Sequence, residues 1–181
     1  MRNKMAGELK SVYKRGAEDG LRFGIYLSVL YMVMIAGASY SLASLVAFVM
    51  IAAVPLIVYR FLHRGYVAEY ETSTFSSMWL HGIVIFFCGS MLAGVVLLVY
   101  LRWINPDFVV NTLQRAIELY DSIDVPQAKE TAKVLRQVIE QKLVPTPIEI
   151  VAQLIWLAVF SGSLLSMILA LVVPLRSKKK Q

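Results

Sequence analysis

Few side chains in this sequence are of the types that carry out chemistry, and those few are scattered. The two histidines, His63 and His81, lie near the ends of apolar segments, and Glu69 and Glu71 are the nearest carboxylates. Two histidines and two glutamates at these spacings match no known metal-ligand pattern. We therefore expect these histidines to form hydrogen bonds at a membrane surface rather than to hold a metal.

Other catalytic patterns are missing from the sequence as well. It contains no phosphate-binding glycine loop, no nucleophile elbow and no zinc-peptidase helix. The single cysteine, Cys88, falls within an apolar segment and can form no intrachain disulfide. The acidic residues between positions 107 and 140 alternate with basic ones, which is typical of a solvated helix surface. The sequence thus predicts a protein that is not an enzyme and has no cofactor or metal.

Composition points to a bilayer as the solvent of this chain. Hydrophobic residues make up 58% of its 181 residues and charged residues only 17%. A membrane-spanning helix needs about 20 mostly apolar residues, and residues 24–40, 42–59, 82–101 and 150–174 meet that need. None of these stretches contains Asp, Glu, Lys, Arg or His. Because ion-coupled transport commonly relies on such a group, that activity is disfavoured.

The predicted fold is all-α, a four-helix transmembrane bundle with an extracytoplasmic amphipathic helical hairpin between spans 3 and 4. Its parts are a cytoplasmic N-terminal segment (1–22), spans 1–3 (23–101) with a cytoplasmic loop (60–77), the hairpin (102–147), span 4 (148–175) and a basic cytoplasmic tail (176–181). The first span also resembles a cleavable secretion signal. Its long leader carries Glu8, Glu18 and Asp19, so we expect a retained helix.

Orientation follows from the basic residues, which in short loops stay preferentially cytoplasmic. Segments 1–22, 60–77 and 176–181 hold 12 of the 18 basic residues but only five of the 12 acidic ones. This distribution predicts that both termini face the cytoplasm. It also accounts for the net charge of +6, so no nucleic-acid partner is expected.

Local signals predict where the connecting segments begin and end. The uncharged residues 39–41 predict a tight turn between spans 1 and 2, and Thr72 or Ser73 is placed to cap a helix leading into span 3. Asn105 as cap and Pro106 at the first helical position predict the first hairpin helix. A second helix is predicted from Asp124 to Leu143.

Small residues at helical spacing predict faces on which the spans pack closely, since small side chains let helices approach in a membrane. The predicted packing or partner seam consists of Ala158, Gly162, Ser166, Ala170, Ser90, Gly94, Gly24 and Ser28. These positions serve either the bundle itself or contact with another membrane protein.

Two stretches carry a family resemblance. Residues 74–82 read Thr-Phe-Ser-Ser-Met-Trp-Leu-His-Gly, and residues 100–108 read Tyr-Leu-Arg-Trp-Ile-Asn-Pro-Asp-Phe. With the order of spans, they resemble the four-span bacterial family catalogued as domain of unknown function 4199, mostly from Bacteroidota. The positions that carry the match are Phe75, Trp79, Gly82, Asn105 and Pro106. The resemblance implies a bacterial inner-membrane location, no established activity, and a lipid-linked glycosyltransferase as a candidate partner.

Two functional hypotheses remain open on the sequence. The first is a non-enzymatic accessory or scaffolding subunit for another membrane or cell-envelope component. The second is a small oligomeric carrier or lipid-flipping protein, with polar groups such as Tyr26, Ser28, Gln153 and Ser161 lining its path. Both involve the lipid bilayer and either another membrane protein or self-association as partners.

Overall fold

A computed structural model describes the backbone of residues 2–38, 40–68 and 74–178, and the side chains of residues 12–38, 40–67 and 74–175. These residues form helices and no strand. The helices are α1 (Arg2–Gly37), α2 (Ser41–Ala68), α3 (Phe75–Val99), α4 (Phe108–Ser122), α5 (Pro126–Glu140) and α6 (Pro147–Lys178), and a π-helical turn (Tyr100–Ile104) follows α3. The predicted all-α class is therefore confirmed.

Within the described residues, four segments are long and apolar enough to cross a membrane. They are Val12–Gly37, Ser41–Val67, Phe75–Ile104 and Pro147–Leu175. Each contains or closely matches one of the apolar stretches predicted from sequence. The tight turn between the first two is also confirmed, because α1 ends at Gly37 and α2 begins at Ser41.

The chain divides into two compact units. The first contains α1, α2, and most of α3 and α6; the second, residues 96–152, contains α4 and α5 with the adjoining helix ends. In the first unit each of the four helices contributes at least one fully buried apolar side chain, such as Phe23, Val58, Ile85 and Val173. They join one apolar cluster, in which the Phe23 and Phe86 rings meet edge to face with centroids 5.1 Å apart. Van der Waals contact of this kind holds helices together where no water is expelled.

Glycines bring α1 and α3 into backbone contact. A Cβ atom added to Gly20 would lie 2.7 Å from the Cβ of Cys88, and one added to Gly24 would lie 2.9 Å from the Cβ of Leu92. On the facing helix, a Cβ on Gly89 would lie 2.8 Å from the Phe23 ring. Real Cβ atoms do not approach so closely, so a larger side chain at any of these positions would require the two helices to shift apart.

The second unit is a helical hairpin in which α4 packs against α5. Ile117 and Ala132 are buried between them, and an Arg136–Asp121 ion pair links the two helices at the surface. Pro126 occupies the first position of α5, where its missing N–H costs no hydrogen bond.

The helices extend further than the sequence predicted. Residues 2–22 belong to the same helix as span 1, and residues 60–68, assigned to a loop, continue α2. Residues 75–77 lie in the helix that was predicted to lead into span 3. Charged residues on an exposed helix face do not interrupt its backbone hydrogen bonds, which is why polarity alone misplaced these ends. Thr72 and Ser73 lie outside the described residues; the Thr74 hydroxyl instead accepts a hydrogen bond from the Ser77 N–H at 3.3 Å.

The predicted starts of the hairpin helices are wrong by a few residues. The Asn105 N–H bonds to the Tyr100 carbonyl at 2.9 Å and closes the π-helical turn, so Asn105 does not cap α4, which begins at Phe108. Pro106 therefore lies in the connecting turn. Asp124 does not cap α5 but accepts a hydrogen bond from Lys129 at 2.6 Å. That helix ends at Glu140, because Lys142 adopts a left-handed backbone with φ 55°.

Candidate functional site

The polar centre of the first unit is the carboxylate of Asp19 on α1, whose residue is only 5% exposed. Its Oδ1 accepts a hydrogen bond from Arg64 of α2. Its Oδ2 lies 3.3 Å from Nε2 of His81 on α3, which is 6% exposed. Arg22, one turn further along α1, places Nη1 3.6 Å from Oδ1. One carboxylate thus connects three helices, and we call these four residues the Asp19 cluster.

Glycines make room for the cluster. Gly16 lies one turn before Asp19, and a Cβ there would approach Val84 to 2.7 Å and the His81 ring to 3.5 Å. Gly65 follows Arg64, and a Cβ there would lie 3.1 Å from Nδ1 of His81. The imidazole therefore fits between α1 and α2 because both helices carry glycine beside it.

The charges in the cluster depend on one another. Burying an ion costs several kcal/mol unless an opposite charge compensates, and removing one partner of such a pair leaves the other uncompensated. Nε2 of His81 lies 3.3 Å from Oδ2 without a hydrogen bond between them, so Arg64 and Arg22 supply the positive charge that meets this carboxylate. Arg64 reaches the carboxylate from outside, with its own side chain 58% exposed.

A cleft of about 320 Å³ opens beside the cluster. It is lined by Arg15, Glu18, Asp19, Arg22, Arg64 and Gly65. All of these described lining residues lie on α1 or α2. Since the cleft combines a cavity with several charged groups, it is a candidate binding site.

The two histidines have separate surroundings. The His63 ring packs against Tyr59 on the same helix, with centroids 5.8 Å apart, whereas His81 faces Asp19. Within the part of the chain that the structure describes, no three His, Cys, Asp or Glu side chains lie together as a metal site would require. The contacts of the cluster are those of an ion-pair network.

Sequence reasoning missed this cluster. It treated Asp19 as part of a polar leader, and it treated Arg22 and Arg64 only as markers of orientation. A signal was available: Asp19 is three residues from Gly16 and four from Phe23, so it shares their face of an α-helix. An acidic residue that shares a helix face with glycines and an aromatic residue is more readily buried than one on a face of charged residues.

Polar groups deeper in the spans bond to the protein itself. The Tyr26 hydroxyl donates to the Met50 carbonyl at 2.5 Å, joining α1 to α2, and the Trp79 indole N–H donates to the Ser163 carbonyl at 3.1 Å, joining α3 to α6. The hydroxyls of Ser28, Ser90 and Ser161 each donate to a carbonyl three or four residues back in their own helix.

Most of the predicted seam is buried within the chain. Gly24, Ser90, Gly94, Gly162, Ser166 and Ala170 are buried, while Ser28 and Ala158 are half-buried. A Cβ on Gly162 would collide with the Phe86 ring, and one on Gly82 would collide with the Ser166 side chain. The seam on α6 thus faces α3.

The predicted family positions divide between the two units. In the first, Gly82 contacts α6, and the Phe75 ring stacks on Trp79 with centroids 6.3 Å apart. In the second, Asn105 and Pro106 form the connection that leads into α4.

Four long apolar helices, packed through glycines and with three of them joined at one ion-pair cluster, indicate a helical membrane protein. The chain belongs to the DUF4199 family, described as a protein of unknown function, whose model matches residues 18–174. The predicted family is therefore confirmed, and the match includes every residue of the Asp19 cluster. No curated protein and no solved structure matches the chain.

We predict that Asp19→Asn lowers the free energy of unfolding by about 1–3 kcal/mol, because it removes the charge that compensates the guanidinium of Arg64. The expected loss of stability is smaller than for a fully buried ion pair, because Arg64 is more than half exposed and solvent screens its charge. Thermal unfolding of the purified protein in detergent measures the change. Glu18→Gln is the matched control, because it makes the same chemical change at an exposed neighbour. Equal melting of the two variants would contradict the role of the cluster.

Proposed function

We propose that this protein is a non-enzymatic accessory or scaffolding subunit that binds another membrane or cell-envelope component, with a lipid-linked glycosyltransferase as a candidate. The proposal rests on one observation, which is that the polar side chains of the first unit are used to join its helices. The Asp19 cluster, the Tyr26–Met50 bond and the Trp79–Ser163 bond all join one helix of the first unit to another. Side chains used in this way build a stable bundle and are not arranged for turnover.

The surface left for a partner is not the small-residue seam, because α3 of the same chain covers Gly162 and Ser166. The hairpin of α4 and α5 offers another surface. Among its described side chains, Leu119 is 61% exposed and Val134 is 52% exposed, although both lie in helices rich in charge. We assign partner binding to this hairpin.

We further propose a bacterial inner-membrane location, with both termini in the cytoplasm and the hairpin outside it. The charge distribution supports this orientation, since the segments assigned to the cytoplasm hold 12 of the 18 basic residues. The Asp19 cluster and its cleft then lie toward the cytoplasmic face, because they are formed by parts of α1 and α2 near those basic segments.

Labelling with a membrane-impermeant thiol reagent tests the orientation. In a Cys88→Ala background, we expect Ser122→Cys in the hairpin to react in intact spheroplasts. Thr74→Cys, which is also exposed, should react only after the membrane is opened. Labelling of Thr74→Cys alone in intact spheroplasts would reverse the proposed orientation.

One observation favours the alternative of an oligomeric carrier or lipid-flipping protein. Gln153 and Ser161 are both exposed on α6, where polar side chains would otherwise face lipid. In an oligomer they would line a polar path. The Ser161 hydroxyl already donates to the Leu157 carbonyl at 2.8 Å, so it has no need of such a path.

Purification in a mild detergent from the native membrane tests the accessory role. We expect one membrane protein to accompany this chain in near-stoichiometric amount, measured by quantitative mass spectrometry against an unrelated tagged membrane protein. Leu119→Gln should release that partner, whereas Glu118→Gln, with the same new side chain at the adjacent exposed position, should retain it. Recovery of this chain alone or only with itself would reject the accessory role and favour the carrier.

A further inference from the structure

The cleft beside the Asp19 cluster has an uneven distribution of charge. Arg15, Arg22 and Arg64 contribute three guanidinium groups to its walls, and Glu18 and Asp19 contribute two carboxylates. The Asp19 side chain is 7% exposed and points toward Arg64 and His81. The charge that a molecule in the cleft meets is therefore mainly that of the arginines.

Arg22 and Arg64 keep hydrogen-bonding capacity for a ligand. A guanidinium has five N–H donors in a planar fork that matches phosphate oxygens. Arg64 uses Nη2 on Asp19, and Arg22 approaches the same carboxylate only at ion-pair distance. The side chains of Arg64 and Arg22 are 58% and 60% exposed, so their remaining donors can reach a molecule in the cleft.

The surface of α1 next to the cleft is apolar and uncovered. Leu21 is 56% exposed and Ile25 is 59% exposed, on either side of Arg22 in sequence. Both lie in the segment Val12–Gly37, which is apolar enough to cross a membrane. An arginine cluster at the end of a lipid-facing surface is at the depth of the lipid headgroups, where basic side chains attract anionic lipids.

We propose that this cleft binds a phosphate group. A volume of about 320 Å³ is at the lower end of the range for small-molecule sites and admits a phosphate with its ester substituent. Arg15, Arg22 and Arg64 bind the phosphate oxygens. The phosphate belongs either to an anionic lipid headgroup that enters from the apolar surface of α1 or to a soluble phosphate from the aqueous side.

Glu18 sets the affinity of the cleft. It is exposed and lines the same cavity as the three arginines, so its carboxylate repels a phosphate. Removal of this charge strengthens binding, whereas removal of a guanidinium weakens it. Opposite effects at two positions of one cleft are expected of direct ligand binding. The assignment does not depend on the accessory role, because it concerns α1 and α2 and not the hairpin.

Titration of the full-length protein, purified in a neutral detergent without phosphate, tests the site. The probes are short-chain phosphatidylglycerol, short-chain phosphatidylcholine and inorganic phosphate, and the readout is bound probe by native mass spectrometry. We expect phosphatidylglycerol to bind more tightly than phosphatidylcholine, and Arg15→Gln and Arg22→Gln each to weaken it about fivefold. Glu18→Gln should strengthen it. Tight binding of inorganic phosphate alone would confirm the site and identify its ligand as soluble.

Arg60→Gln is the matched control, because Arg60 is exposed on the same end of α2 but does not line the cleft. It removes the same charge and should leave the affinity unchanged. The melting temperature of each variant is measured first, so that affinities are compared only between folded proteins. Equal weakening by Arg60→Gln and Arg22→Gln would overturn the proposal, as would binding of none of the three probes.

Discussion

The contact on which the first unit depends is the buried carboxylate of Asp19, which meets Arg64 from α2 and His81 from α3. Apolar packing in a bilayer gives little preference for one helix pairing over another, because lipid tails are as apolar as the side chains. A buried charge is more selective, since it is tolerated only where opposite charges meet it. Asp19 therefore defines which faces of α1, α2 and α3 turn toward one another.

Close packing makes that contact possible. The glycines of α1 remove the side chains that would hold α3 away, and Gly65 does the same for α2 beside His81. The close approach of α1 to α3 and the buried carboxylate of Asp19 thus occur in the same part of the bundle. Glycine lowers the intrinsic stability of a helix. Here that loss is offset by packing between helices, which determines helix stability more than intrinsic propensity does.

The sequence predicted the spans and the hairpin because long apolar runs and Pro126 act locally. It did not predict the Asp19 cluster, whose members are brought together across large separations, such as the 45 positions between Asp19 and Arg64. The sequence also predicted that Gly162 and Ser166 lie on a packing face, but it did not indicate which helix packs against them. The structure identifies that helix as α3, through the contacts of Gly82 and Phe86. Helix ends were misplaced because charge does not stop a helix.

The central claim is that α1 and α3 are in backbone contact beside the Asp19 cluster, and oxidative cross-linking in the membrane tests it most directly. Gly20→Cys places a second thiol against the native Cys88, with the two Cβ atoms 2.7 Å apart before any adjustment. A further separation of about 1 Å brings these atoms to the distance found in disulfides. We predict an intrachain disulfide, detected as a loss of two hydrogens in the intact mass. Ile25→Cys, on the exposed face of α1, should form none. A folded Gly20→Cys protein that stays reduced, or links only between chains, would contradict the account.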